Sequence, residues 1–214
     1  MMGLVKKNLW AGSLGAFLII FVTVIAAIAG FVIRTPDAHI VATFAIGGAC
    51  GTNIMSHFHR KNDALWQQLE TTMPIKLAFV ELSRYLSFLV VFALVVVITA
   101  VYTLTNYLGG AFYYPHAAAS TLLDSLAMVM GFYFLLAALQ FPLLRIFSAR
   151  HSVGILYGCF IATFFLFFGA AILGARLPEN IQDIGGLLLA AATFLLFVLS
   201  YFISVQIYRR RCAV

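Results

Sequence analysis

The chain has 214 residues, of which 64% are hydrophobic and 9% are charged, and its formal net charge is +6. An average soluble domain has roughly 25% charged residues, so a soluble fold could not cover this chain with polar surface, whereas lipid accepts apolar side chains on the outside. Six membrane spans of about 20 residues each would use most of the chain and leave no room for a separate ATPase, protease or receptor domain. We therefore expect a single transmembrane domain, 1–214.

Apolar runs separated by short polar breaks predict the spans in chain order. The first run follows Lys6 and Lys7 and is long enough to cross a bilayer, so we interpret it as an uncleaved helix rather than a signal peptide. Pro142 marks the end of the fourth run or a kink in it. The predicted fold class is all-α, a polytopic membrane protein with six transmembrane helices, at 12–33, 38–56, 85–107, 117–141, 153–175 and 184–207.

The lysines and arginines orient these spans. If the N-terminus is cytoplasmic, 11 of the 13 basic residues fall in inner segments, and only Arg34 and Arg176 fall outside. Because cytoplasmic segments of membrane proteins carry an excess of Lys and Arg, we expect both termini in the cytoplasm. The basic charge therefore indicates topology and does not indicate nucleic acid.

The longest polar stretch, His57–Arg84, is then an inner loop between spans two and three, and Pro74 divides it. Before the proline, a short amphipathic helix through about Thr71 is predicted, with Trp66 on its apolar face. After the proline, 77–83 is helical by pattern and continues into span three. The short helix fits two interpretations, an interfacial helix on lipid headgroups or a docking helix for a cytoplasmic partner, with Trp66 as its aromatic anchor.

Three short strings around Pro74 carry a resemblance to a known family. They are Asp63-x-x-Trp66, Met73-Pro74-Ile75 and Val80-x-x-Ser83-x-Tyr85-Leu86. Together they resemble compact six-span ABC-2-type transporter permeases, including permeases similar to exporters of phenol-soluble modulins and antimicrobial peptides. The sequence departs from that pattern where Lys76-Leu77 follows the proline turn and where the acidic stretch is reduced to Asp63.

The resemblance implies a permease subunit that exports a hydrophobic or amphipathic substrate, peptide or drug-like. Such a subunit forms a homodimer or a heterodimer and is driven by a separate cytoplasmic ABC ATPase, which would bind the ATP and Mg²⁺. This chain would hold no cofactor and would not itself be an enzyme. The resemblance places the ATPase coupling at Asp63, Leu65, Trp66, Gln67, Leu69, Glu70, Thr71, Met73, Pro74 and Ile75.

Two other functions stay open on the residues alone. An ion-coupled carrier or channel needs an acid inside the bilayer, and Asp124 in span four is the candidate, either as a contact in the translocation path, as a dimer contact or as a shallow acid reached by water. Asn53 and Asn106 are weaker candidates for the same path or dimer contact. Together with Gln140 they lie near span ends, where they also fit simple interfacial groups. A scaffold or immunity protein that sequesters a toxic peptide is the third hypothesis.

Metal and disulfide chemistry is not expected. His57 and His59 supply too few ligands for a metal site. None of the three cysteines falls in a predicted outer loop, so no structural disulfide is predicted. The sequence also contains no Walker motif and no dinucleotide fingerprint.

Overall fold

A computed structural model describes residues 3–6, 76–110, 119–147, 152–174 and 179–212. Residues 3–6 are helical, and four long helices follow: α1 Leu77–Gly110, α2 Ala119–Ile146, α3 Ser152–Gly174 and α4 Glu179–Cys212. The all-helical expectation is confirmed for these residues, which contain no strand. The six-span count stays a prediction, and the predicted coupling helix, residues 63–71, lies outside the described residues.

The helices extend beyond the predicted spans at the end of the bundle that carries the C-terminal arginines. Helix α2 continues through Pro142 to Ile146, although span four was predicted to end or kink at this proline. A proline removes one backbone donor, but the Phe147 N–H donates to the Leu143 carbonyl at 3.0 Å and keeps the last turn closed. At the matching end, α1 begins at Leu77 and α4 continues to Cys212.

Helix α2 is the centre of the described bundle, and its most extensive interface is with α4. One face of α2 joins α1 and α4 in an aromatic cluster, in which the Tyr85 ring stacks on Phe141 at 4.2 Å and Phe134 contacts Phe197 at 5.4 Å between centroids. Another face packs on α3, where Phe132 meets Phe167 edge to face at 5.8 Å. Close packing of this kind is what holds helices together in lipid.

Gly131 on α2 lies where α3 and α4 approach this helix closely. A Cβ at this position would lie 3.3 Å from the Phe167 ring, 3.5 Å from the Ala190 backbone and 3.5 Å from the Thr193 hydroxyl. The Thr193 hydroxyl is itself fixed, because it donates to the carbonyls of Leu189 and Ala190 in its own helix. The absence of a side chain at position 131 therefore sets the spacing of three helices.

Replacing this glycine with leucine is expected to destabilise the bundle. Gly131→Leu overpacks the junction and is expected to cost about 1–3 kcal/mol, seen as a lower melting temperature in detergent. Gly158→Leu is the matched control, because Gly158 is exposed on α3 and nothing lies within 4 Å of the place that a Cβ would occupy there. Equal melting temperatures for the two variants would show that the close approach at Gly131 does not limit packing.

Helices α3 and α4 expose a broad apolar face. Phe165 on α3 is 70% exposed and Leu195 on α4 is 63% exposed. Among the described residues, two stretches are long and apolar enough to cross a membrane, Ala127–Ile146 and Gly185–Arg210, and Gly154–Ala170 is a shorter apolar helix. The stretch on α4 is mostly unburied, which is unlike the core helix of a soluble protein and typical of a helix that faces lipid.

Candidate functional site

Most residues that the sequence singled out lie where the structure describes no side chain. The ten predicted coupling residues, from Asp63 to Ile75, and Asn53 lie outside the described residues. Asn106 is a helical position of α1 and Asp124 a helical position of α2, with only their backbone described. The coupling, path and dimer roles assigned to these residues therefore stay predictions.

A buried charged cluster joins three helices at the end of the bundle that carries the C-terminal arginines. Glu81 of α1 is 1% exposed and Arg145 of α2 is 6% exposed. The Glu81 Oε1 atom and the Arg145 Nη2 atom are in direct contact as an ion pair. On the other side of this arginine, the guanidinium carbon lies 4.4 Å from the ring centroid of Tyr208 on α4, a cation–π contact. We call Glu81, Arg84, Arg145 and Tyr208 the charged cluster.

Arg84 is the fourth member and lies on the same helix as the carboxylate. Its Nη1 atom is 3.9 Å from the Glu81 Oε1 atom, the same oxygen that contacts Arg145. The spacing of three residues along α1 places Glu81 and Arg84 on one face of that helix. One carboxylate oxygen thus lies between two guanidinium groups, one fixed to its own helix and one supplied by α2.

A hydroxyl network next to the charged cluster ties α1 to α4. The Tyr85 hydroxyl is 3.0 Å from the hydroxyls of both Ser200 and Ser204. The Tyr201 hydroxyl donates to the Ala78 carbonyl at 3.2 Å, close to the start of α1. Hydrogen bonds between helices are a common means of fixing their register in membranes. The first two turns of α1 are therefore held by polar contacts to both α2 and α4.

Two polar side chains deeper in the bundle are buried without such contacts. Gln140 on α2 is 0% exposed, and neither its amide nitrogen nor its amide oxygen has a hydrogen-bond partner among the described residues. The sequence alone suggested an interfacial group near a span end, and its full burial corrects this. Thr163 on α3 is equally buried, and its hydroxyl also has no hydrogen-bond partner. Buried polar groups of this kind are uncommon, and they mark α2 and α3 as helices with unused hydrogen-bonding capacity.

The described residues offer no metal site. They contain no group of three or more His, Cys, Asp or Glu side chains arranged to hold an ion. Cys159 on α3 is a buried free thiol among apolar neighbours. What the charged cluster can supply is therefore positional: an ion pair and a cation–π contact that fix the relative placement of three helices.

The charged cluster was missed by the sequence analysis because its members lie just beyond the predicted spans. Arg145 was assigned to a short basic loop, and span six was predicted to end at residue 207, one residue before Tyr208. A span predicted from hydropathy ends at the first charge, whereas a helix continues as long as its backbone hydrogen bonds do. One available signal was Glu81, an acid three residues before Arg84 in the apolar part of the inner segment that leads into span three.

The fold and the charged cluster define the class of protein to which this chain belongs. Long apolar helices that pack through aromatic and small residues, expose an apolar face and keep their charges at the ends are typical of a helical membrane protein. A family model described as ABC-2 family transporter protein matches residues 3–209. The chain therefore belongs to the ABC-2 family of transporter proteins, and it is a membrane component of a transporter.

This match confirms the resemblance to ABC-2 permeases at the level of the family, whereas the closer resemblance to peptide exporters stays a prediction. A search of curated proteins found no match, and a search of solved structures found none.

Proposed function

We propose that this chain is the permease subunit of an exporter that moves a hydrophobic or amphipathic molecule, a peptide or a drug-like compound, out of a bacterial cell. The observation that carries the proposal is the family match across residues 3–209. The exposed apolar faces of α3 and α4 support it, because they suit a protein that works within lipid. ATP and Mg²⁺ would bind to a separate cytoplasmic ATPase subunit.

The proposed contact with that ATPase is the inner segment from Asp63 to Ile75. This segment ends two residues before α1 begins at Leu77. A force applied to it would reach the first turns of α1 directly, and these turns contact α2 and α4 through Glu81 and Tyr85. Trp66 is the proposed anchor, since a buried tryptophan commonly dominates the affinity of a protein interface.

The proposed assembly is a dimer of permeases, identical or related, with two ATPase subunits and with the termini of each permease in the cytoplasm. The distribution of basic residues supports this orientation, with the three consecutive arginines 209–211 at the inner end of α4.

A pull-down tests the proposed function. The full chain with an affinity tag is extracted in a mild detergent, and copurified proteins are identified by mass spectrometry. We expect a cytoplasmic ABC ATPase, and we expect Trp66→Ala to weaken its binding about thirtyfold, the equivalent of about 2 kcal/mol for an aromatic anchor.

Two segment replacements serve as a matched pair. In one variant a glycine–serine linker of equal length replaces residues 63–71, and in the other it replaces residues 111–118, between α1 and α2. We expect the first variant to lose the ATPase and the second to retain it. Recovery of the ATPase with both variants would place the contact elsewhere, and the absence of any ATPase from the intact chain would contradict the proposed function.

A further inference from the structure

We propose that Glu81 is a positioning residue that exchanges its carboxylate between Arg145 and Arg84 when α1 moves during the transport cycle. The inference rests on the proposed function, in which α1 receives the motion of the ATPase. It adds the residues that would hold α1 in each of two positions.

The charged cluster is not needed merely to hold the helices together. A buried ion pair contributes little net stability, because desolvation of the two charges offsets their attraction, and well-packed apolar residues often replace such a pair without loss. The same end of the bundle already has an aromatic cluster around Tyr85 and Phe141 and the contacts of Tyr85 with Ser200 and Ser204. The charged side chains at this place therefore need a role other than holding the helices together.

The two cations beside Glu81 are held by different helices. The Arg145 guanidinium lies against the Tyr208 ring, so it is held by α2 and α4, the pair of helices with the most extensive interface. Arg84 belongs to α1 and moves with Glu81. When α1 shifts against α2 and α4, the carboxylate separates from Arg145 but keeps Arg84 at its side.

The second cation lowers the energetic cost of moving the Glu81 carboxylate away from Arg145. A carboxylate pulled away from its only cation in a buried site would be strongly destabilised. Here a second guanidinium nitrogen is 3.9 Å from the same oxygen, so a small side-chain rotation restores an ion pair. An exchange between these two pairings makes a two-state element, which converts a pull on α1 into a discrete step.

Distance measurements on the complete complex with its copurified ATPase test the exchange. Spin labels are attached at Lys76→Cys and Phe147→Cys, two exposed positions at the start of α1 and the end of α2, with Cys50 and Cys212 changed to serine. The distance is compared without nucleotide and after trapping with MgATP and orthovanadate. We expect the distance to change on trapping in the otherwise unaltered chain.

Substitutions at Arg84 then decide between exchange and a static pair. Arg84→Gln removes the second cation beside Glu81, and we expect it to retain the resting distance after trapping and to lower ATP turnover about tenfold, within the range of coupling between protein sites. Arg84→Lys keeps the charge and is expected to restore both the change and the turnover. Tyr201→Phe is the control, because its hydroxyl contacts α1 at Ala78 but belongs to no ion pair.

The possible results distinguish a failure of the exchange from a failure of the proposed function. If the complex assembles and hydrolyses ATP but Arg84→Gln behaves like the unaltered chain, the exchange is wrong and the proposed function stands. If the distance does not change on trapping, the exchange is wrong as well. If no ATPase copurifies, the proposed function fails, and the exchange fails with it. A lower melting temperature of Arg84→Gln with an unaltered distance change would reduce Arg84 to a structural role.

Discussion

Removing one charge of the Glu81–Arg145 pair is expected to destabilise the protein more than removing both. Arg145→Met removes the cation that is in direct contact with the buried Glu81 carboxylate and leaves Arg84 at 3.9 Å. Glu81→Met leaves two guanidinium groups close together with no carboxylate between them. Breaking a buried pair from one side typically costs about 3–5 kcal/mol, and we expect Glu81→Met to be the worse of the two because it creates like-charge repulsion.

The double variant Glu81→Met with Arg145→Met is expected to recover most of the lost stability, because no uncompensated carboxylate remains. The measurement is thermal stability in detergent, arranged as a double-mutant cycle. Arg210→Met is the control, since Arg210 is exposed on the same end of α4 and surface substitutions usually change stability by less than about 0.5 kcal/mol. Additive losses in the double variant would show that Glu81 and Arg145 are not energetically coupled.

The class of this protein could be predicted from the sequence because composition constrains it strongly. An apolar chain with basic residues between its apolar runs fits a membrane and little else, and the family match agrees with that interpretation. The ABC-2 resemblance rested on short strings around Pro74, and it was correct at the level of the family.

The charged cluster could not be predicted in the same way. Periodicity identifies which face of one helix is apolar, but it does not say which charges from three separate helices meet. Glu81 and Arg145 are 64 positions apart in the chain, and only the packing of α1 on α2 brings them together. Pro142 added to the difficulty, because a proline suggests the end of a helix, whereas α2 continues past it and carries Arg145 into the bundle.

Gln140 lies deeper in the protein than its sequence position suggested. It is next to the predicted end of span four, which suggested a group that reaches the interface, as polar residues near span ends commonly do. The structure buries it completely, because the helix is longer than the apolar run. The depth of a side chain in a membrane protein depends on its own helix and on the neighbouring helices, and hydropathy alone gives only an approximate depth.

A charge on the exposed face of α4 is expected to prevent stable insertion, although the same substitution would be harmless on a soluble protein. Leu195 is 63% exposed and lies near the middle of the apolar stretch Gly185–Arg210. An arginine at the centre of a spanning helix costs about 2.5–3.5 kcal/mol on insertion scales. Leu195→Arg should therefore lower the amount of protein recovered in the membrane fraction by about tenfold or more, measured by quantitative blotting at equal expression.

Gln206→Arg provides the matched control for this prediction. Gln206 is also exposed on α4 and lies four residues before Arg210, at the end where the charges collect. A long basic side chain near a span end reaches the headgroups and costs little, so this variant is expected to insert normally. Equal recovery of both variants would mean that the exposed face of α4 meets water or protein at Leu195, and the depth that we assign to α4 would then be wrong. A loss confined to Leu195→Arg would instead place Leu195 within the hydrocarbon core and Gln206 near its boundary, at the end of α4 that carries the charged cluster.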